Sequence, residues 1–454
     1  MRPLRPRGGA LLSSLVLRTI QRRLLGVEPG EGACVAWAAA TFFCTLSGYY
    51  VLRPLRDAFG IAEGLRNLKW LYLLTFAVML VVSPVFVLLV ARFPRRRVVP
   101  WVCHFFAANL VLFSVALARL GDEWRTKVGS VFFSWTSVYN LIVVSVTWSL
   151  VVDLFSRTQG RRLFGLVIAG GSLGAVCGAA VTASLVDALG PAPLLLVSAL
   201  LLEVQAVCIG RLRRAFASPP DEADETIGAN GAAESPLGGG WAEGWRRIRH
   251  SPYMKAICGY MLLTSVCASV AYYERSAVVS AASMDPAERA RLFASMDVAS
   301  NVLILCLQAF AARRLLAWLG VGATLCVLPA LYLLGFCAVG AVPVLAVVVV
   351  FEVARRSVGY GVTAPTKEVL YSPLPPVEQY KAKHFIDTAV WRGGDLLGVW
   401  LASLADLLSG LGALTLAAVP FAGAWIAAGR RIGRDPCLRP GEAADAAPAR
   451  PDRV

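Results

Sequence analysis

Long runs of apolar residues restrict this chain to a membrane. The runs at 111–118, 141–152, 194–202 and 342–351 lie inside stretches with few or no charges, close to the length that spans a bilayer. Lipid offers the backbone no hydrogen-bond partner, and the runs lack the alternation of a β-barrel, so we predict helices. A content of 57% hydrophobic and 16% charged residues agrees with a membrane protein.

We therefore predict an all-α polytopic membrane protein with about twelve transmembrane helices in two six-helix halves. The spans are expected near residues 33–53, 68–91, 98–119, 128–155, 163–188, 191–210, 253–275, 289–312, 319–339, 341–370, 379–408 and 411–429. The predicted segments are a cytoplasmic N-terminal segment with an amphipathic helix (1–32), an N-terminal half (33–210), a flexible cytoplasmic linker (211–252), a C-terminal half (253–430) and a disordered cytoplasmic tail (431–454).

Basic residues give the orientation. The net charge of +15 is gathered in clusters at the ends of apolar segments, such as 92–97, 211–214 and 430–431. Under the predicted topology these clusters fall on one side, so both termini are expected in the cytoplasm. This placement favours a lipid bilayer over nucleic acid as the partner of the positive charge.

Two pairs of segments, six spans apart, resemble each other. Tyr49–Arg53 ends the first span and Tyr272–Arg275 ends the seventh, while Gly170–Gly174 in the fifth matches Gly393–Gly398 in the eleventh. Two parallel repeats, as in the major facilitator architecture, predict this correspondence. The run Gly170–Gly178 lies in an apolar helix and lacks the Lys-Ser/Thr of a phosphate-binding loop, so we predict close helix packing.

The sequence also argues against several classes of protein. The chain contains no GxxxxGK[ST] motif, which argues against an ATP-driven pump. Its 11 cysteines form no CxxC pair and its 3 histidines lie far apart, so neither a metal site nor another cofactor is expected. No nucleophile–histidine pairing indicates an enzyme.

Ionisable side chains within predicted spans indicate a polar cavity, because each costs at least ~2.5–3.5 kcal/mol on insertion scales. Five basic residues are expected to bind an anion: Arg53, Arg56, Arg356, Lys367 and Arg392. Five acidic residues are expected to form ion pairs, to gate the site or to couple it to protons: Asp57, Glu352, Glu368, Asp387 and Asp395. The alternative is ion pairing that only fixes helix packing, such as Glu352 with Arg355 or Arg356.

The composition of this cavity favours an anionic substrate. Most of its cations are Arg, whose planar fork binds phosphate or carboxylate in a bidentate manner. Four aromatic residues are candidates for stacking on a base, with packing inside the spans as the alternative: Tyr49, Tyr50, Tyr139 and Trp391.

Several segments resemble a known family. Tyr50–Asp57 (YVLRPLRD), Thr366–Leu374 (TKEVLYSPL), Lys381–Lys383 and Ile386-Asp387 are similar to the ATP/ADP antiporter family, the nucleotide exchangers of plastids and intracellular bacteria. The stretch Phe133–Gly178 resembles the free-living bacterial branch of that family. The similarity covers nearly all of the spanning region.

The resemblance implies a major-facilitator-like carrier that exchanges nucleotides by alternating access. It places Arg56 where characterised exchangers have a functional Lys in the first span. It matches Lys367 and Glu368 to the family's Lys-Glu pair, and Arg392 to an Arg of the eleventh span. The leading hypothesis is thus a monomeric exchanger of ATP and ADP, or a related pair, in a bacterial inner membrane.

Two other functions remain open, because the chain departs from the family pattern at Pro54-Leu55 and at 391–395. One is a proton-coupled carrier of another organic anion or amphiphile, with Asp57, Asp387 or Asp395 as the proton site. The other is a non-transporting membrane scaffold or sensor that uses the same fold as an anchor.

Overall fold

The computed structural model describes residues 27–28, 30–93, 95–217, 251–283, 285–371, 373 and 386–435. Several features predicted from the sequence lie outside these residues: the amphipathic helix at 11–25, the linker at 218–250, Lys381–Lys383 and the tail after Asp435.

The first six predicted spans are all helices. In chain order they are α1 (Gly32–Gly60), α2 (Leu65–Arg92), α3 (Arg95–Arg119), α4 (Asp122–Leu154), α5 (Arg157–Leu189) and α6 (Pro191–Ala217). Ser156 begins α5 through a reciprocal capping box with Gln159. Gly190 ends α5 with a φ of 76°, which a residue with a Cβ rarely adopts, and Pro191 begins α6, so a tight turn joins the two helices.

The later spans are helices interrupted by single π-helical turns. They are α7 (Pro252–Ala282), α8 (Pro286–Cys306), a π-turn (Leu307–Ala311), α9 (Ala312–Ala341), α10 (Leu345–Val358), a π-turn (Gly359–Thr363), α11 (Ala364–Val369), a π-turn (Ile386–Val390) and α12 (Trp391–Gly433). Gly320, with a φ of 70°, breaks α9 between the eighth and ninth predicted spans. Eight helical segments among the described residues are long and apolar enough to cross a membrane, and the segment 286–341 contains two spans.

The segment α12 is assigned as one helical element of 43 residues, but it contains two antiparallel spans. Residues 394–406 follow residues 265–273 of α7 in the same direction. Trp425 then packs against Tyr260, with ring centroids 5.7 Å apart, and Tyr260 precedes residue 265 in α7. The chain must therefore reverse between residues 406 and 425, which separates the eleventh and twelfth predicted spans.

The chain divides into two compact units, residues 1–56 with 78–227 and residues 57–77 with 228–454. Along the sequence the division therefore falls inside α1 and α2 as well as in the predicted linker. Residues 57–77 belong to the second unit, although they lie in α1, α2 and the turn between them.

Glycines bring α5 against the backbone of α1 in the first unit. A Cβ at Gly170, Gly174 or Gly178 would lie 2.6, 2.2 and 2.2 Å from carbonyl oxygens of α1. No side chain fits at such distances, so the two helices approach this closely only because these residues are glycine. The predicted packing role of the glycine run is present in the structure.

The second unit repeats this contact between its own helices. A Cβ at Gly394 would lie 2.7 Å from the Cβ of Ser265, and one at Gly398 would lie 2.7 Å from the carbonyl oxygen of Val266. The fifth span thus uses glycine to pack on the first, α1, and the eleventh uses glycine to pack on the seventh, α7, so the two contacts correspond with an offset of six spans. This is the repeat predicted from the sequence.

Replacing Gly174 with Leu should destabilise the protein by about 1–3 kcal/mol or more, because the new side chain forces α5 away from α1. The measurement is thermal unfolding of the purified protein in detergent. Gly165→Leu is the matched control, since Gly165 lies in the same helix with open space around it. Equal melting temperatures for the two variants would contradict the packing described here.

Candidate functional site

A network of buried charges occupies the second unit. The guanidinium of Arg275 on α7 donates to Oδ2 of Asp57 at 2.7 Å and to Oε1 of Glu352 at 3.2 Å. These three side chains are at most 3% exposed. The hydroxyl of Tyr272 donates to the other carboxylate oxygen of Asp57 at 3.0 Å. One arginine therefore joins two carboxylates that lie far apart in the sequence.

Arg355 extends the network along α10. Its Nε donates to Oε2 of Glu352 at 2.7 Å, and its Nη1 donates to the hydroxyl of Tyr332 at 2.9 Å. The sequence analysis named an ion pair between Glu352 and Arg355 as the alternative to a role in a polar cavity. That ion pair is present. Negative and positive groups alternate in this cluster, so each charge has an opposite neighbour that offsets part of its desolvation cost.

Arg356 pairs with an aspartate of another helix, whereas the sequence analysis considered Glu352 as its partner. Its Nη1 pairs with Oδ1 of Asp297 on α8, and not with Glu352. Its Nε and Nη2 are buried and have no hydrogen-bond partner among the described residues, and the same holds for Nδ2 of Asn301. Asn301 lies one helical turn after Asp297, on the same face of α8. This part of the unit therefore contains buried N–H donors without acceptors.

A second polar group lies where α11 and α12 begin. The Nζ of Lys367 is 4.9 Å from the centre of the Trp391 ring. Nη1 of Arg392 is 3.6 Å from Oδ2 of Asp395, and Ser265 donates to Oδ1 of Asp395 at 2.6 Å. Four of the predicted site residues are thus arranged as two interacting pairs, and both side chains of the Arg392 pair are partly exposed.

The candidates on α1 other than Asp57 lie in the first unit. The Arg53 guanidinium lies 5.7 Å from the ring of Tyr50, and the rings of Tyr49 and Tyr50 are 5.5 Å apart. The Arg56 guanidinium lies 4.4 Å from the ring of Phe133. Each arginine is therefore placed beside an aromatic face within its own unit, where cation–π attraction favours its charge.

The other three predicted site residues are placed as follows. Tyr139 is fully buried, with its ring 5.4 Å from Phe106 and 5.6 Å from Trp135, so aromatic neighbours surround it. Glu368 is exposed. Asp387 lies in the π-turn Ile386–Val390, and its side chain lies outside the described ones.

Sequence reasoning missed some of the buried charges. Asp297 was not selected, and Glu274 and Arg275 entered only as part of the repeat. All three are ionisable residues within predicted spans, which is the reason that Glu352 was selected, so the same reasoning applies to them. Among the described residues, no group of three or more His, Cys, Asp or Glu side chains is placed to hold a metal ion.

Comparison with known proteins gives a likeness in fold. No family model and no curated protein matches the chain. A mutant of the nucleoside transporter NupG is similar in structure, with a TM-score of 0.62 and 10% identity over 88% of this chain and 99% of that one. An auto-inhibited POT family peptide transporter has a TM-score of 0.60 and 14% identity, over 92% of this chain and 99% of that one. A bacterial homologue of the iron transporter ferroportin has a TM-score of 0.60 and 13% identity, over 88% of this chain and 99% of that one.

The chain has the fold of a major facilitator transporter. The matches cover nearly the whole length of the solved structures, so the likeness in fold extends over both six-helix halves. The predicted all-helical, polytopic fold is confirmed. At these identities the comparison concerns the fold alone, and the charged network described above is a property of this chain.

In this facilitator fold, Asp57→Asn should lower stability by about 3–5 kcal/mol, because it leaves an excess positive charge buried at Arg275. The measurement is unfolding in detergent by heat or denaturant. Asp122→Asn is the control: Asp122 also pairs with an arginine, but its side chain is 98% exposed, and its loss should cost about 0–1 kcal/mol. A similar loss in both variants would mean that burial does not strengthen the network.

Proposed function

We propose that this chain is a secondary transporter that exchanges nucleotides, ATP for ADP or a related pair, by alternating access. The observation that carries the proposal is the set of buried donors without acceptors at Arg356 and Asn301. Arg356 is 4% exposed and Asn301 is 6% exposed. A donor buried in this way costs about 1–3 kcal/mol, and a ligand with several acceptor oxygens removes that cost.

A phosphate group fits these donors by charge and by geometry. The guanidinium presents its N–H groups as a planar fork that matches two phosphate oxygens, and the Asn301 amide adds a further donor. In the absence of an anion, Asp297 balances the charge of Arg356. Binding of phosphate then replaces part of this pairing, so ligand and acid compete for one arginine.

The group at α11 and α12 supports a nucleotide over a simple anion. Lys367 and Arg392 add positive charge, and Trp391 offers an aromatic ring beside Lys367. A ring next to a cation is suited to a molecule with both a base and phosphates. Lys367 and Arg392 also match positions of the ATP/ADP antiporter family in the resemblance, and a solved structure of similar fold is named a nucleoside transporter.

The proposal includes the setting of the protein. We place it as a monomer in a bacterial inner membrane with both termini in the cytoplasm, because the basic clusters fall on one side of the spans. Exchange is obligatory in this mechanism, since an empty site that contains Arg356, Lys367 and Arg392 is too positive to reorient at low cost.

The test is uptake of labelled ATP into proteoliposomes loaded with ADP, compared with unloaded vesicles. Uptake should require internal ADP. Arg356→Gln should reduce it by about 10-fold or more, the effect of losing one charge-assisted hydrogen bond to phosphate. Arg211→Gln, at an exposed position near the end of α6, is the matched control and should transport normally. Equal uptake by the two variants, or uptake without internal nucleotide, would contradict the proposal.

A second candidate function is a proton-coupled carrier of another organic anion. One observation favours it, the buried acid Glu274 described below. It predicts that ATP does not enter loaded vesicles, whereas a panel of other anions accumulates in response to a pH gradient. No described contact favours a scaffold or sensor over a carrier.

A further inference from the structure

Glu274 on α7 is a buried carboxyl group that forms no hydrogen bond with the described part of the chain. Its side chain is 2% exposed, and neither Oε1 nor Oε2 has a hydrogen-bond partner among the described residues. Its neighbours in α7 are well bonded: Tyr273 donates to Asp406 at 3.0 Å, and Arg275 holds Asp57 and Glu352. Burying an ionised carboxylate without partners is so unfavourable that such a group takes up a proton instead.

The charge balance of the second unit leads to the same conclusion. Asp57, Arg275, Glu352 and Arg355 carry two negative and two positive charges in direct contact, and Asp297 balances Arg356. The remaining buried arginine among the described residues, Arg289 in the first turn of α8, donates to the backbone carbonyls of Ser280 and Ser283 at the end of α7. An ionised Glu274 would therefore add a negative charge beside a group of four contacting side chains whose charges already cancel.

The groups around Glu274 come from several helices. From α10, Arg355 is the charged group that acts on Glu274, and Arg355 is already bound to Glu352. From α9, the hydroxyl of Tyr332 accepts from that same arginine. Within α7, Cys267 is a titratable neighbour.

From α12, two acids face α7 without bonding to Glu274. Asp395 bonds to Ser265 and Ser269, and Asp406 bonds to Tyr273. Arg355 is thus the one described cation that faces both Glu274 and a competing carboxylate.

We propose that Glu274 is a proton-binding site that couples transport to the pH gradient. The inference rests on the chain being a carrier, and it does not depend on the anion being a nucleotide. A proton suits this site better than a metal ion, because a hard cation needs about six oxygen ligands and no group of three or more His, Cys, Asp or Glu side chains among the described residues is placed to hold one.

The proposed step exchanges the partner of Arg355. While Glu352 holds Arg355, Glu274 carries a proton and is neutral. When the network opens during transport, Arg355 leaves Glu352 and turns toward Glu274. The O–H bond of Glu274 then breaks, the proton passes to water in the opened cavity, and the new carboxylate balances Arg355. One proton is released for each such change of partner.

The first test needs no transport. A carboxyl group that stays protonated in the folded protein but ionises on unfolding makes stability fall as the pH rises. The melting temperature of the purified protein should therefore fall between pH 5 and pH 9, by about 2 °C per pH unit at most. Glu274→Gln should remove most of this slope and Glu274→Asp should keep it, while the control Glu123→Gln, at an exposed position, should not change it.

The second test measures protons during transport, with a pH dye inside ADP-loaded vesicles that take up ATP. Wild-type vesicles should show a proton flux, and Glu274→Gln should reduce the flux per ATP by about 10-fold or more. If wild-type vesicles take up no ATP, nucleotide exchange is wrong, and the melting curves alone decide the role of Glu274. A pH slope and a proton flux that survive in Glu274→Gln, or a melting temperature that follows sodium instead of pH, would overturn the inference.

Discussion

The structure depends on one constraint: a charge placed in a hydrocarbon environment must be balanced by its neighbours. In the second unit, Arg275 and Arg355 share Glu352, and Arg275 also holds Asp57. Such a network is expensive to bury, and apolar packing of equal volume would often be as stable or more stable. Its presence supports the proposed function, in which charges change partners as the protein moves.

Close contact between helix backbones holds the frame around these charges. Gly174 on α5 and Gly398 on α12 each lie against a carbonyl oxygen of a partner helix in their own unit. In a membrane, where apolar side chains gain little by leaving lipid, van der Waals contact of this kind is a main source of helix association. The charged network can then rearrange its pairs without carrying the stability of the whole fold.

The spans and the contacts within one helix were predictable from the sequence, whereas the contacts between helices were not. Apolar runs located the spans because lipid requires helices of that length. The pair Glu352–Arg355 was predictable because residues three apart share a helix face. The pairing of Arg356 with Asp297 was not, since it joins α10 to α8 and depends on their packing. It is harder still to predict that Glu274 has no hydrogen-bond partner among the described residues, because this depends on every side chain packed around it.

The central claim is that the unsatisfied donors of this network bind the phosphates of the substrate. It is tested most directly by an experimental structure of the protein with bound ADP. The account predicts phosphate oxygens within hydrogen-bond distance of Nε and Nη2 of Arg356 and of Nδ2 of Asn301, with the Asp297 contact lengthened or lost. ADP bound elsewhere, with those donors satisfied by protein carbonyl groups, would contradict it.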